Sequence, residues 1–133
     1  VQRGTADRAA LRACQEVLER GEPLVMFPEG TRRSGSRVES ENMFSGPTFV
    51  AARAGVPIIP LGIAGTDKAM PHKARFIKPA KVFIVVGEPV LPPKFEGRVP
   101  RQAVEDLTEQ LRQALQEAFE QAQTLLAGKS RKK

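Results

Sequence analysis

From Pro100 to about Leu126, apolar side chains return every three or four residues: Val104, Leu107, Leu111, Leu115, Ala118, Phe119, Ala122 and Leu125. Glu, Gln and Arg fill the positions between, which predicts one long amphipathic helix with its stripe on a sheet. The polar face is acidic rather than lysine-rich, so core packing explains the stripe better than a place on a membrane surface. A second helix is predicted over residues 6 to 20. Thr5 offers an N-cap, Leu11, Cys14 and Leu18 share a face, and Gly21 stops it. A third opens near Pro47, whose fixed φ suits a first helical turn, and ends before Gly55.

Between the helices lie short apolar runs. Leu24 to Phe27, Val56 to Ile63 and Val82 to Val86 read as strands. The last, VFIVV, is apolar at every position, a pattern suited to a sheet covered on both faces and typical of parallel sheets. The order of elements therefore predicts an α/β fold: a mostly parallel sheet covered by helices, with a long C-terminal amphipathic helix. A right-handed crossover would join Leu24 to Phe27 with Val56 to Ile63. Pro57 and Pro60 each lack a ladder donor, so that second strand is expected to bend. Residues 88 to 100, EPVLPPKFEGRVP, form a rigid connection into the last helix, and no internal repeat is visible.

With 133 residues the chain fits one domain. Its composition, 41% hydrophobic and 27% charged, is that of a globular protein. No apolar run approaches the roughly 18 to 20 residues of a membrane-spanning helix, and no signal peptide is seen. The chain opens on Val1, and Val1-Gln2-Arg3 reads as the end of an extended segment. Residues 1 to 128 are thus expected to be a single but incomplete domain, followed by a basic disordered tail at 129 to 133. Cys14 has no second cysteine to pair with and reads as a small buried hydrophobe, which fits a reducing compartment.

The net charge is +6, but four of the 21 bases stand in the last five residues. That leaves 17 bases against 15 acids in the rest, a surplus of only two. A basic end of this kind is a solvated tail in the plain reading and an anionic-membrane contact in the sharper one. Residues 67 to 81 hold a second cluster, Lys68, Lys73, Arg75, Lys78 and Lys81, with Asp67 as the only acid. It reads as a solvated rim, or as an attraction for an anionic substrate or phospholipid surface.

Residues 28 to 45 are polar and broken by Gly30 and Gly35. They follow an apolar strand, at the carboxyl end where parallel sheets collect ligands. Glu29 can hold an arginine or accept a hydrogen bond from a hydroxyl; Gly30 allows close backbone approach; Thr31 adds a hydroxyl. Arg32 and Arg33 bring planar forks that match a phosphate. Such a set would recognise a small molecule bearing a phosphate and a hydroxyl, although a solvated turn with a local ion pair has the same composition. Other chemistry is poorly served. There is no GxxxxGK[ST] or GxGxxG loop, and one His with one Cys makes no metal site. The single histidine, His72, sits in a Pro- and Lys-rich loop and reads as a surface residue. A phosphate-ester hydrolase would lack a nucleophile or metal ligands. With no Trp or Tyr for stacking, nucleic acid is not an expected partner.

FPEGTR at residues 27 to 32, followed by VPIIPLGI at 56 to 63, resembles the phospholipid/glycerol acyltransferase family, the 1-acylglycerol-3-phosphate acyltransferases in particular. GTDKAMP and IVVGEPV further along are also similar to that family, and the likeness runs through most of residues 1 to 91. The resemblance implies transfer of a fatty acyl group from acyl-CoA or acyl carrier protein to lysophosphatidic acid in phospholipid biosynthesis. It implies an acceptor site at Glu29, Gly30, Thr31 and Arg32, with Arg32 on phosphate. Arg3 falls where the family carries another phosphate-binding arginine.

The family's general base is a His with an Asp five residues later, placed before the FPEGTR loop. His72 comes after that loop and has Ile77 five residues on, and MFSG at 43 to 46 replaces a lysine often seen before the second helix. No catalytic residue is therefore expected in this chain, which alone should be inactive and carries the acceptor-binding half. No cofactor or metal is expected, acyl-CoA or acyl carrier protein being a co-substrate. The expected partners are a lysophospholipid, an acyl donor and an anionic membrane surface, with the protein peripheral on the cytoplasmic face of the cell membrane. The alternative is a non-catalytic module that binds anionic lipid or phosphate.

Overall fold

The computed structural model describes residues 8–30, 38, 43–71 and 73–130, with side chains to 128. The first helix, α1 (Arg8–Glu19), ends where glycine was expected to end it. Gly21 has φ of 76°, its N–H donates to the Leu18 carbonyl at 3.0 Å, and Glu22 N–H reaches back to Val17 O at 3.2 Å. This paired bonding satisfies two carbonyls of the last turn, and the left-handed φ is one that glycine adopts without strain. Leu11, Cys14 and Leu18 are half-buried. They share the stripe that packs α1 on α2 (Gly46–Ala54), where Pro47 stands in the first turn and Gly55 caps the end at φ of 67°.

The sheet is smaller than the sequence pattern predicts, and it runs the other way. β1 (Leu61–Ala64) pairs antiparallel with β2 (Phe83–Val86), with Leu61 opposite Val86 and Ala64 opposite Phe83. The 65–82 connection between them holds a short helix, α3 (Thr66–Ala69). No parallel pair occurs among the described residues, so the mostly parallel sheet and its crossover are not what these residues form. Leu24 to Phe27 joins no ladder among the described residues: Leu24 and Met26 are half-buried, while Val25 and Phe27 are about three-quarters exposed. The expected strand over 56–63 is broken by its prolines. Ile58 makes an isolated bridge to Val90, and the regular ladder resumes only after Pro60, whose carbonyl accepts from Gly87 N–H at 2.9 Å.

α4 (Arg101–Ser130) is the long predicted helix, about 45 Å at 1.5 Å per residue. Its stripe does face the sheet: Val104, Leu107, Leu111, Ala118 and Ala122 are buried, and the helix packs on β1, β2 and α2. Gly62 explains how close it comes. A Cβ there would run into the backbone of Ala118, so the helix backbone rests directly on β1 where neither partner carries bulk. Only this face of the sheet is covered. Side chains alternate across a strand, and Leu61, Ile84 and Val86, on the opposite face, remain 42% to 66% exposed. VFIVV thus has one cover where its composition called for two.

The core joins these layers through Ala52, Val90 and Leu107, with Ile58, Phe95, Val99 and Ala114 packed around them. Thr48 is fully buried and polar. Its hydroxyl lies 2.7 Å from that of Thr108, with the Ser45 and Val104 carbonyls in reach, so no buried hydroxyl there lacks a partner.

Candidate functional site

Pro28 and Glu29 turn the chain at the end of the extended 24–27 segment. Gly30 N–H donates to the Phe27 carbonyl at 3.0 Å, closing a turn with proline at its second position. Gly30 has φ of 65°, and a Cβ there would stand 2.6 Å from the Phe44 ring. The positive φ is what calls for glycine, and the exposed Phe44 ring that lies over it would have to swing aside for any side chain. Phe44 N–H donates to the Pro28 carbonyl at 2.8 Å, so the polar loop leaves and returns at one hydrogen-bonded base. Glu29 sits beside that base, half-buried, and pairs with no side chain among the described residues.

The far side of the loop is tied to α4. Val38, the only apolar residue between 31 and 42, has both backbone groups engaged. Its N–H donates to Gln116 Oε1 at 2.6 Å, and its carbonyl accepts from Arg112 Nη1 at 3.2 Å. Arg112 is itself held by Glu109, which accepts from its Nε at 2.9 Å and its Nη2 at 2.7 Å. This fork raises the Arg112 pKa further and holds the Glu109 carboxyl below the ordinary glutamate range, the hydrogen bond between them being the main cause of each.

Of the residues read as an acceptor site, Glu29 and Gly30 are placed together at the loop base. Arg3, Thr31 and Arg32 lie outside the described residues, as does His72. Sequence reading did not single out Phe44, Arg112 or Gln116. Nothing in the sequence marks the last two, because they bond the backbone of Val38 and not its side chain. Among the described residues no cluster of His, Cys, Asp or Glu would hold a metal. A shallow cleft of about 110 Å³ lies between β2 and α4, lined in part by Val86, Glu88, Glu117 and Gln121. Its two carboxylates make it a poor place for a phosphate.

Residues 1–64, which contain the whole of this loop, match the family described as Acyltransferase. This part of the chain belongs to the acyltransferase family. A 1-acyl-sn-glycerol-3-phosphate acyltransferase of Chlamydomonas reinhardtii is 38% identical over 84 residues, 62% of this chain and 24% of that protein. The chloroplastic enzyme LPAT1 of Arabidopsis thaliana is 33% identical over 81 residues, 60% of this chain and 22% of its own length. Among solved structures, the 1-acyl-sn-glycerophosphate acyltransferase PlsC of Thermotoga maritima is similar with a TM-score of 0.63 and 31% identity. That likeness covers 86% of this chain and 45% of PlsC. The acyltransferase chain therefore spans about a quarter of the length of these curated relatives and under half of the solved one.

Proposed function

We propose that this chain is the acceptor-binding half of an enzyme that moves a fatty acyl group from acyl-CoA or acyl carrier protein to lysophosphatidic acid. The observation that carries the reading is the anchored loop: FPEGTR opens it, and its described residues are tied at the 28–44 base and at Val38 on α4. A base anchored in this way presents Glu29 at little entropic cost on binding. Arg32 takes the acceptor phosphate with Arg3 assisting, while Glu29, Gly30 and Thr31 receive the glycerol portion. The base that deprotonates the acceptor hydroxyl comes from outside these residues, so this chain alone turns over no substrate.

Residues 1 to 128 are then one incomplete acyltransferase domain and 129 to 133 a basic tail. Further strands supplied from outside the chain complete the sheet, with Leu24 to Phe27 pairing in parallel. The support is the bare face at Ile84 and Val86, and the unpaired extended segment. The enzyme works at an anionic membrane surface, peripheral on the cytoplasmic face of the cell membrane; no helix of the described residues is long and apolar enough to cross a bilayer. Kinetics of a longer form carrying the missing base test the acceptor site. Glu29→Gln and Arg32→Ala should raise KM for lysophosphatidic acid while leaving that for acyl-CoA alone. For Arg32 the rise should be roughly 30-fold or more, since truncating one member of a charge pair costs about 2 to 5 kcal/mol. Unchanged acceptor kinetics in both variants would remove the assignment.

A further inference from the structure

The 65–82 connection between β1 and β2 is a built loop. Gly65, at φ of 97°, leaves no room for a Cβ because the Lys81 carbonyl lies against it, which pinches the two ends together. Inside, Met70 N–H donates to Thr66 O at 3.0 Å, Ala74 N–H to Pro71 O at 2.9 Å, and Lys78 N–H to Ala69 O at 2.7 Å. At its tip stand Phe76 and Ile77, 80% and 78% exposed, the most exposed large apolar side chains among the described residues. The same connection carries the five bases and one acid of residues 67 to 81, all exposed. Among the described residues none of these bases is in an ion pair.

We propose that this loop is an interfacial anchor for an anionic bilayer, with Phe76 and Ile77 entering the headgroup boundary and the five bases remaining among the headgroups. The proposal rests on the membrane-surface part of the function proposed above and names the element that makes the contact. Two features favour lipid over a protein partner. Exposed apolar side chains in a loop that also carries long, exposed basic side chains match an interface that is apolar below and anionic above, where lysine stems lie along the boundary and their charges stay wet. Another bare apolar area, on the sheet, lies in strands without a single charged residue, LGIA and FIVV, which suits cover by protein. A loop already held by its own hydrogen bonds also loses little freedom on docking.

The chain has no Trp or Tyr, so Phe76→Trp places a single reporter at the tip. The full chain carrying it is mixed with vesicles of phosphatidylcholine alone or with added phosphatidylglycerol. On the anionic vesicles the emission should shift to the blue and be quenched by lipids brominated high in the acyl chain; on neutral vesicles it should not. Flotation of the unsubstituted chain should weaken as salt rises. The double variant Phe76→Ser, Ile77→Ser should bind anionic vesicles at least about tenfold less. An unmoved Phe76→Trp emission on vesicles that float the protein would overturn the anchor, as would a double variant that floats like its parent, or no flotation at low salt. None of these readouts needs turnover. Failure of the acceptor-site reading appears instead in detergent, where Glu29 and Arg32 variants are assayed with no bilayer present.

Discussion

Gln116 and Arg112 are the residues whose loss should be felt away from where they stand. Each meets Val38, and together they decide whether that residue of the polar loop stays against α4. Replacing Gln116 by Leu leaves the Val38 N–H without its acceptor in a half-buried place, a loss of about 1 kcal/mol. Trypsin has Arg32, Arg33 and Arg37 to cut in this loop, so Gln116→Leu should speed cleavage there roughly fivefold with the rest of the chain unaffected. Equal cleavage rates would mean that the loop is not held at Val38. Acid should do the same by another route. The Glu109 carboxyl is held low by Arg112, so its support for the fork is complete above the ordinary glutamate range and is lost only as pH falls through the lowered folded value. Protection of the Val38 amide, taken relative to its intrinsic exchange rate at each pH, should therefore fall as pH drops from the ordinary glutamate range through the lowered folded value. At this scale the sequence was legible wherever one residue acts alone: Gly21 and Gly55 stop helices, Pro60 breaks a strand, and Pro28 with Gly30 makes a turn. It was silent where two residues 74 or 78 positions apart must meet, since neither Arg112 nor Val38 carries any mark of the other.

Elements were legible in proportion to their length. The stripe of α4 repeats often enough that its period identifies both the helix and its buried face, whereas four apolar residues such as Leu24 to Phe27 fit a buried strand or an extended segment equally well. Direction of pairing is a property of two segments, and VFIVV reads the same beside a parallel or an antiparallel neighbour. The contact that seats α4 is carried by Gly62, where any side chain meets the Ala118 backbone. Gly62→Ala should cost about 1 to 3 kcal/mol by overpacking. That corresponds to a fall in Tm of roughly 3 to 10 °C for a domain of this size. Gly128→Ala is the control, since a Cβ there meets nothing within 4 Å and alanine favours a helix interior by about 0.5 to 1 kcal/mol. Thermal melts of the two variants should move in opposite directions; a Gly62→Ala chain as stable as its parent would mean that α4 does not rest on β1 at Ala118.

At the scale of the whole molecule, one apolar sheet face is left over, and its two possible fates have opposite signatures. Ile84 and Val86 are 61% and 66% exposed, with Leu61 beside them, on strands that carry no charge to deter association. In the 133-residue chain alone, Ile84→Thr with Val86→Thr removes an adhesive surface. Self-association and binding of a hydrophobic dye should fall, with Tm nearly unchanged. In a longer form whose added residues cover this face, the same two changes place hydroxyls in a core and remove apolar burial, at about 1 to 2 kcal/mol each. Tm should then drop by several degrees while dye binding, already low, stays low. One pair of substitutions thus helps the short chain and harms the long one. If both forms respond alike, the face is not covered by the added residues, and the proposal that outside strands complete this sheet fails, whatever the 28–44 loop is found to bind.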